Sequence, residues 1–321
     1  MRSAAAATIL EKVFRLAEPC RICPRRCGAL RLSGETGACG AGPTANLFME
    51  YVHWGEDADI VPAQTLYLTG CNLDCAFCQT GQEMRAPGAR PLTPGLFREI
   101  LDNGAAAGAK TVNILGGEPT VNAPALVELF TRTGDFPGLV WNTNFYGEAE
   151  IFSLLDTVVD IYMGDVKFGN SACAERLCGR ADAGGVAMAR ALEIFSRRPD
   201  ALIVRHLVLP GHFSCCTRPV LEWIASHLPG VRVSLKTGYL PPDGMRDCPE
   251  RRFLRDGEIR SAFQLAGELG LRLTRDATLP EENASEPPSS GREFEIVLSP
   301  EGEVYVRHVT REAAALINAV R

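Results

Sequence analysis

Three cysteines on one short stretch, Cys71-Asn-Leu-Asp-Cys75-Ala-Phe-Cys78, have the type and the C-x3-C-x2-C spacing to hold an iron–sulfur cluster. A 4Fe-4S cluster normally takes one Cys for each iron. This loop offers three, and the next cysteine is Cys173, so one iron is left open. An open coordination position is the usual mark of a catalytic rather than a structural metal site. A second set, Cys20, Cys23, Cys27 and Cys39, lies on glycine-rich turns and is closed. Four thiolates suit tetrahedral zinc or a fully ligated auxiliary cluster, and their spacing does not choose between the two. Arg21, Arg25 and Arg26 beside them can stabilise thiolates or form a solvated face. The remaining Cys173, Cys178, Cys215, Cys216 and Cys248 read as structural or incidental thiols.

The cluster loop follows Gln64 to Thr69, an alternating β-type run closed by Gly70. It therefore sits at the C-terminal end of a strand, the face on which α/β barrels build active sites. Six strands are expected at 64–69, 111–115, 138–142, 158–163, 201–208 and 231–235. Helices are expected near 93–106, 123–133, 148–156, 184–197, 217–228 and 257–269, the first with Thr93 as N-cap and Pro94 at its first position. Strands alternating with helices give a parallel sheet, and six such units give a partial (β/α)6 TIM-like barrel, open on one side to a large substrate.

Each strand end carries residues with chemistry. Gly116-Gly117-Glu118-Pro119 ends the second strand, where two glycines permit close backbone approach to a ligand. Asn142 and Thr143 end the third; they can face a ligand or, with Asn144, form a turn or a helix cap. Asp165 and Lys167 share a face at the exit of the fourth. Arg205 lies in the apolar fifth strand and needs a partner, for which a ligand carboxylate is the natural one. His206 points the other way and is assigned to packing or to the surface, while Tyr239 beyond the sixth strand can reach a ligand or substrate.

The 321 residues suffice for one large α/β domain with small additions. With 33 Lys+Arg against 39 Asp+Glu and no basic run, nucleic acid is disfavoured as a partner. Twelve cysteines gathered in tight clusters suit metal ligation in a reducing cytoplasm better than disulfides. No apolar run reaches the ~20 residues that span a bilayer. The chain divides into an N-terminal helix, ending near Ala17, with the four-cysteine module (1–60), the barrel core (61–275), a Glu/Pro/Ser-rich linker (276–291) and a hairpin–helix appendix (292–321). The appendix can pack, cover an edge or gate the open side. Residues 41–63 read as irregular chain without assignable chemistry.

The cysteine loop, with Phe77 before its third Cys, resembles the radical S-adenosylmethionine (SAM) superfamily. The match extends to a narrower group related to pyruvate formate-lyase activating enzymes with an N-terminal Cys-x2-Cys-Pro-Arg-x-Cys-Gly module. It includes Gly70 to Gln79, Gly116 to Pro119, Asp165-x-Lys167 and Arg205 to Gly211; Thr80 stands where the group commonly has Asn. The resemblance implies a 4Fe-4S cluster on Cys71, Cys75 and Cys78 and SAM bound at its open iron. It implies SAM contacts from Phe77, Gly116, Gly117, Glu118, Pro119, Asn142, Thr143, Asp165, Lys167 and Arg205. The implied reaction is reductive cleavage of SAM to a 5'-deoxyadenosyl radical that abstracts hydrogen from a protein or peptide, such as a glycine on a glycyl-radical enzyme. A one-electron donor such as flavodoxin or ferredoxin is then required. Two other readings stay open: radical modification of a small molecule at the same site, and an iron–sulfur electron carrier, for which a SAM pocket has no use.

Overall fold

The computed structural model describes residues 2–81, 88–242 and 248–275, together with the backbone of the strands 294–298 and 304–308. The chain opens on α1 (Arg2–Ala17), whose Ala6, Ile9, Val13 and Leu16 fall at helical spacing and are buried. That stripe packs on α3 (Ala123–Thr133), so the expected surface helix is a covering layer of the core.

Six parallel strands form the frame, as expected: β2 (Ala63–Leu68), β4 (Thr111–Gly116), β5 (Gly138–Thr143), β6 (Ile161–Asp165), β7 (Leu202–Leu207) and β8 (Arg232–Lys236). A two-residue β9 (Arg272–Leu273) extends them, and with β1 (Asn46–His53) and β3 (Arg90–Pro91) the sheet order is β3-β1-β2-β4-β5-β6-β7-β8-β9, an unclosed barrel. Between the strands run α2 (Pro94–Ala106), capped by Thr93, α3, α4 (Ala149–Leu155), α6 (Ala183–Arg197), α7 (Arg218–His227) and α8 (Asp256–Glu268).

Two elements depart from expectation. Asn46–His53 is a strand, β1, antiparallel to β2 and bordered by the short β3 (Arg90–Pro91). Almost all of β1 is half-buried, so its sequence lacks the clean alternation that marks one dry and one wet face. Ser171–Cys178 forms an additional helix, α5, started by the Asn170 side chain, which accepts from Cys173 N at 2.8 Å.

The expected C-terminal hairpin is present as β10 (Phe294–Leu298) paired antiparallel with β11 (Val304–His308). The linker at 276–291 and the final helix expected after Thr310 lie outside the described residues.

The inner face of the sheet changes character along the strands. Val140, Met163 and Ile203 form an apolar floor with Ile60. Two residues further on, at the C-terminal ends, the same face carries Asn142, Asp165 and Arg205. Hydrophobic packing closes one end, and polar groups gather at the end where the cysteine loop emerges.

Candidate active site

Gly70 ends β2 in a left-handed turn (φ +85°), and the cluster loop begins at once. Cys71 N donates to Cys39 O at 2.9 Å, Asp74 N to Cys178 O at 3.2 Å, and Ala76 N to Leu177 O at 2.8 Å. The loop is thus clamped between the N-terminal module and the last turn of α5. Asn72, fully buried, donates to Tyr146 O at 2.5 Å. Phe77 is buried and meets Phe168 edge-on at 6.1 Å. Burial raises the Cys71 and Cys78 thiols above their ordinary value. Cys75 is raised by a hydrogen bond with the Cys178 thiol and then by burial. Cys178, read from the sequence as a structural or incidental thiol, stands beside the loop.

Gly116 has φ +113°, and a Cβ there would lie 2.1 Å from Leu68 N. It lies close against the backbone of β2, and a side chain there would break the β2–β4 register. Glu118 is buried and accepts three hydrogen bonds, from Thr120 N (2.8 Å), Thr143 Oγ1 (2.7 Å) and Asn144 N (2.7 Å). Burial still lifts its carboxyl above the usual range. Thr143 is thus committed to Glu118. Asn144, weighed in sequence only as a turn or cap residue, puts Nδ2 2.9 Å from Asn72 Oδ1 and 3.8 Å from Cys71 Sγ. The turn is held by Phe145 at φ +57°, an uncommon conformation for a bulky residue. Its ring lies over Gly164, where a Cβ would meet it at 1.6 Å.

Arg205 already has its partners inside the chain. Nε donates to Asp165 at 2.5 Å, Nη1 to Glu56 at 2.9 Å and Nη2 to Asn142 Oδ1 at 2.6 Å. Arg205 therefore has carboxylate counter-ions within the chain itself. Lys167 pairs with the other oxygen of Asp165. Burial alone would raise Asp165, but Arg205 and Lys167 outweigh it and hold the carboxyl at about 2. Burial likewise opposes ionisation of Glu56, and His53, Arg205 and Lys236 bring it to about 2. Glu56 and Asp57, which bonds Ser234 Oγ at 2.9 Å, come from the segment read as chemically silent. Two adjacent acids before a turn give no periodic signal, so only the fold reveals them facing β7 and β8. His206 is buried, with Nδ1 2.7 Å from Val166 O and Nε2 3.1 Å from Thr217 Oγ1, as expected of a packing residue. Burial depresses it to about 4. Tyr239 is buried in the apolar cluster that also contains Leu73 and Phe77.

The N-terminal thiols share one module. Cys20 N donates to Ala29 O and Gly28 N to Cys20 O, both at 3.0 Å, folding the segment that carries Cys27 back onto Cys20. The sulfurs of Cys27 and Cys39 lie 3.3 and 3.4 Å from where a Cβ on Gly37 would be. Burial raises Cys23 to about 11. The guanidinium beside Cys20 is that of buried Arg31, which also donates to Gly42 O at 2.8 Å. Arg26 instead pairs with Glu148 (2.8 Å), and Arg25 reaches Asn72 O (3.4 Å). On the far side of the loop, Cys173, Cys215 and Cys216 converge on His212. The sequence reading took these three as structural or incidental thiols and did not join them to His212; the spacing His-x2-Cys-Cys was the available signal.

The radical SAM superfamily model matches residues 65–224. A relative from Methanocaldococcus jannaschii, protein MJ0674, is 31% identical over 265 residues, spanning 80% of this chain and 77% of its own. The chain belongs to the radical SAM superfamily. Among solved structures, HydG, a maturase of the FeFe hydrogenase, has a TM-score of 0.50 at 17% identity over 84% of this chain and 63% of its own. That likeness shows the fold. SuiB of Streptococcus suis, crystallised with its precursor peptide SuiA, has a TM-score of 0.45 at 14% identity, covering 63% of this chain and 46% of its own. The chain spans less than two thirds of the length of either structure.

Superfamily membership implies a 4Fe-4S cluster and SAM, and the residues present fit them. Three soft thiol donors sit on one loop. On the inner face, Asn142 Nδ2 is buried without a hydrogen-bond partner among the described residues. A buried unpaired donor is costly, and a polar ligand would relieve it. Among the described residues no helix is long and apolar enough to cross a membrane.

Proposed function

We propose that the chain reductively cleaves SAM and uses the resulting radical to take hydrogen from a protein or peptide. The observation that carries this reading is the three-cysteine loop, held at the C-terminal end of β2 beside Glu118, Asn144 and the unpaired amide of Asn142. A 4Fe-4S cluster held by Cys71, Cys75 and Cys78 would supply the single electron that reductive cleavage of SAM requires. Cys71, Cys75 and Cys78 hold the cluster, and Phe77 packs the loop against Phe168. The Gly116–Pro119 edge presents backbone groups to the amino end of SAM, and Glu118 and Thr143 keep that edge in place. Asn142 donates to the ribose. Arg205 acts one step back, orienting Asn142 and Asp165, and Lys167 neutralises Asp165.

The unclosed barrel favours a macromolecular substrate, since it admits a chain segment. A glycine of a glycyl-radical enzyme is the first substrate to test, with flavodoxin or ferredoxin as electron donor. The N-terminal Cys20, Cys23, Cys27 and Cys39 hold zinc or a second cluster. About four irons per chain identify the former and about eight the latter.

The test is anoxic reconstitution followed by dithionite and SAM. 5'-Deoxyadenosine is expected from the native chain and absent from Cys75→Ala. Equal amounts from both overturn the assignment of the loop.

A further inference from the structure

A second constellation, outside the cluster loop, is built for a cation. Cys173 lies in the first turn of α5, and Cys215 and Cys216 lie in the wide π-type turn Phe213–Thr217 after β7, with His212 just before it. Wide helical turns of this kind recur at functional sites. The turn brings residues four apart together: Cys216 N donates to His212 O at 2.9 Å. Gly169 lets the two segments close, since a Cβ there would lie 2.8 Å from Cys215 O.

The ligand atoms of Cys173, His212, Cys215 and Cys216 all lie within 4.8 Å of one another. Cys173 Sγ is 3.7 Å from Cys215 Sγ, and His212 Nδ1 is 3.3 Å from Cys215 Sγ and 3.7 Å from Cys216 Sγ. Sulfurs at the corners of a tetrahedron with the usual zinc–sulfur bond stand about 3.8 Å apart. We propose that these four residues bind one zinc-type divalent cation, separate from both the cluster loop and the N-terminal thiols.

The surrounding groups fit a metal better than a set of idle thiols. Metal-bound histidines characteristically give their second nitrogen to a carboxylate. Here His212 Nε2 lies 2.6 Å from Oε1 of Glu250, a carboxylate only 1% exposed, leaving Nδ1 toward the sulfurs. Arg176 Nη2 lies 2.5 Å from the same oxygen and 3.0 Å from Nε2, countering the carboxylate's charge. On the other side the Asn170 amide lies 3.3 Å from Cys173 Sγ and 4.0 Å from Cys216 Sγ, and donates to Cys215 O at 2.7 Å. An amide N–H aimed at sulfur favours the thiolate that a metal requires.

Three cysteines and a histidine make a closed set, so the ion is structural. It fixes the start of α5 to the β7–α7 connection. The far end of the same helix supplies Leu177 O and Cys178 O to the loop that carries Cys75. The ion thereby steadies that loop through α5. The proposal stands on this geometry and does not depend on the radical reading.

The site can be read in the native full-length chain. Anoxic protein purified with zinc is alkylated before and after mild chelation, and each cysteine is followed by peptide mass spectrometry. Cys173, Cys215 and Cys216 are expected to be shielded with zinc and labelled after its removal. Labelling unchanged by chelation, whether all reactive or all shielded, overturns the site, as does a Cys173–Cys215 disulfide in freshly isolated anoxic protein. In parallel, Cys215→Ser/Cys216→Ser should lose one zinc per chain relative to the native protein. Glu250→Gln should keep the zinc but hold it about 10- to 100-fold more weakly. Unchanged zinc content in the double variant also overturns the proposal.

Discussion

The amide of Cys71 donates to the carbonyl of Cys39 at 2.9 Å, joining the first thiol of the cluster loop to the last thiol of the N-terminal module. Gly70 makes this contact possible. Its φ is +85°, and a Cβ on it would lie 3.2 Å from Ala41 Cβ and 3.3 Å from Cys39 O. The module is therefore a wall of the site, pressed against the turn that launches the loop.

Gly70→Ala should strain both partners of that contact. A left-handed conformation on a residue with a Cβ costs about 1–3 kcal/mol, and the crowding of Cys39 adds to it. The reconstituted variant is expected to keep its fold and to release iron faster than the native chain when a chelator is added. Iron release at the native rate would show that the module does not brace the loop.

Cys178 stands beside the loop, its carbonyl accepting from Asp74 N at 3.2 Å, yet only Cys75 belongs to the three-thiol set. Cys178→Ala is expected to retain about four irons at the loop, whereas Cys75→Ala loses them. The contrast is measured by iron content and by visible absorption of the anoxic proteins. Equal loss in both variants would make Cys178 a ligand and would close the open position.

Arg205 holds Asp165, Glu56 and Asn142 together in the interior. Arg205→Ala leaves two half-buried carboxylates without their shared counter-ion, a loss of up to about 3–5 kcal/mol. Chemical denaturation should show a loss of that size. Arg205→Lys should recover part of it, since an ammonium restores the charge but not the forked hydrogen bonding. A loss below about 1 kcal/mol in Arg205→Ala would place the network on the surface energetically.

His206 gives stability a defined pH dependence. Burial lowers its pKa to about 4, while the unfolded chain titrates near its ordinary value of 6.5. Between those values the unfolded state binds the extra proton, so stability is full above about pH 6.5 and falls as pH drops toward 4. The whole window is worth about 3 kcal/mol. Asp165 and Glu56, depressed to about 2, add their own loss only below about pH 4.5. Denaturation at pH 7.5 and 5.5 should differ in the native chain, and the difference should shrink in His206→Asn. An equal pH slope in both proteins rules His206 out as its source.

The strand frame was legible because buried parallel strands are short apolar runs with glycine or polar residues at their ends, as at Thr111–Gly116 and Gly138–Thr143. β1 was not, because a half-buried strand carries no alternation to read. Within the site, the cysteine loop and the Gly116–Pro119 stretch were legible because both are contiguous.

Sequence alone determined the residues whose chemistry is local: three thiols on eight residues, four more on glycine-rich turns, and an acid and an amine two apart at Asp165 and Lys167. The tertiary structure decided everything that depends on distance across the chain. It gave Arg205 to Glu56, 149 positions away, made Gly116 a matter of strand packing, and drew Cys173 to His212 and Cys215. A single chain position carries a residue's chemistry, but its counter-ion or co-ligand is set by which strand ends the fold brings together.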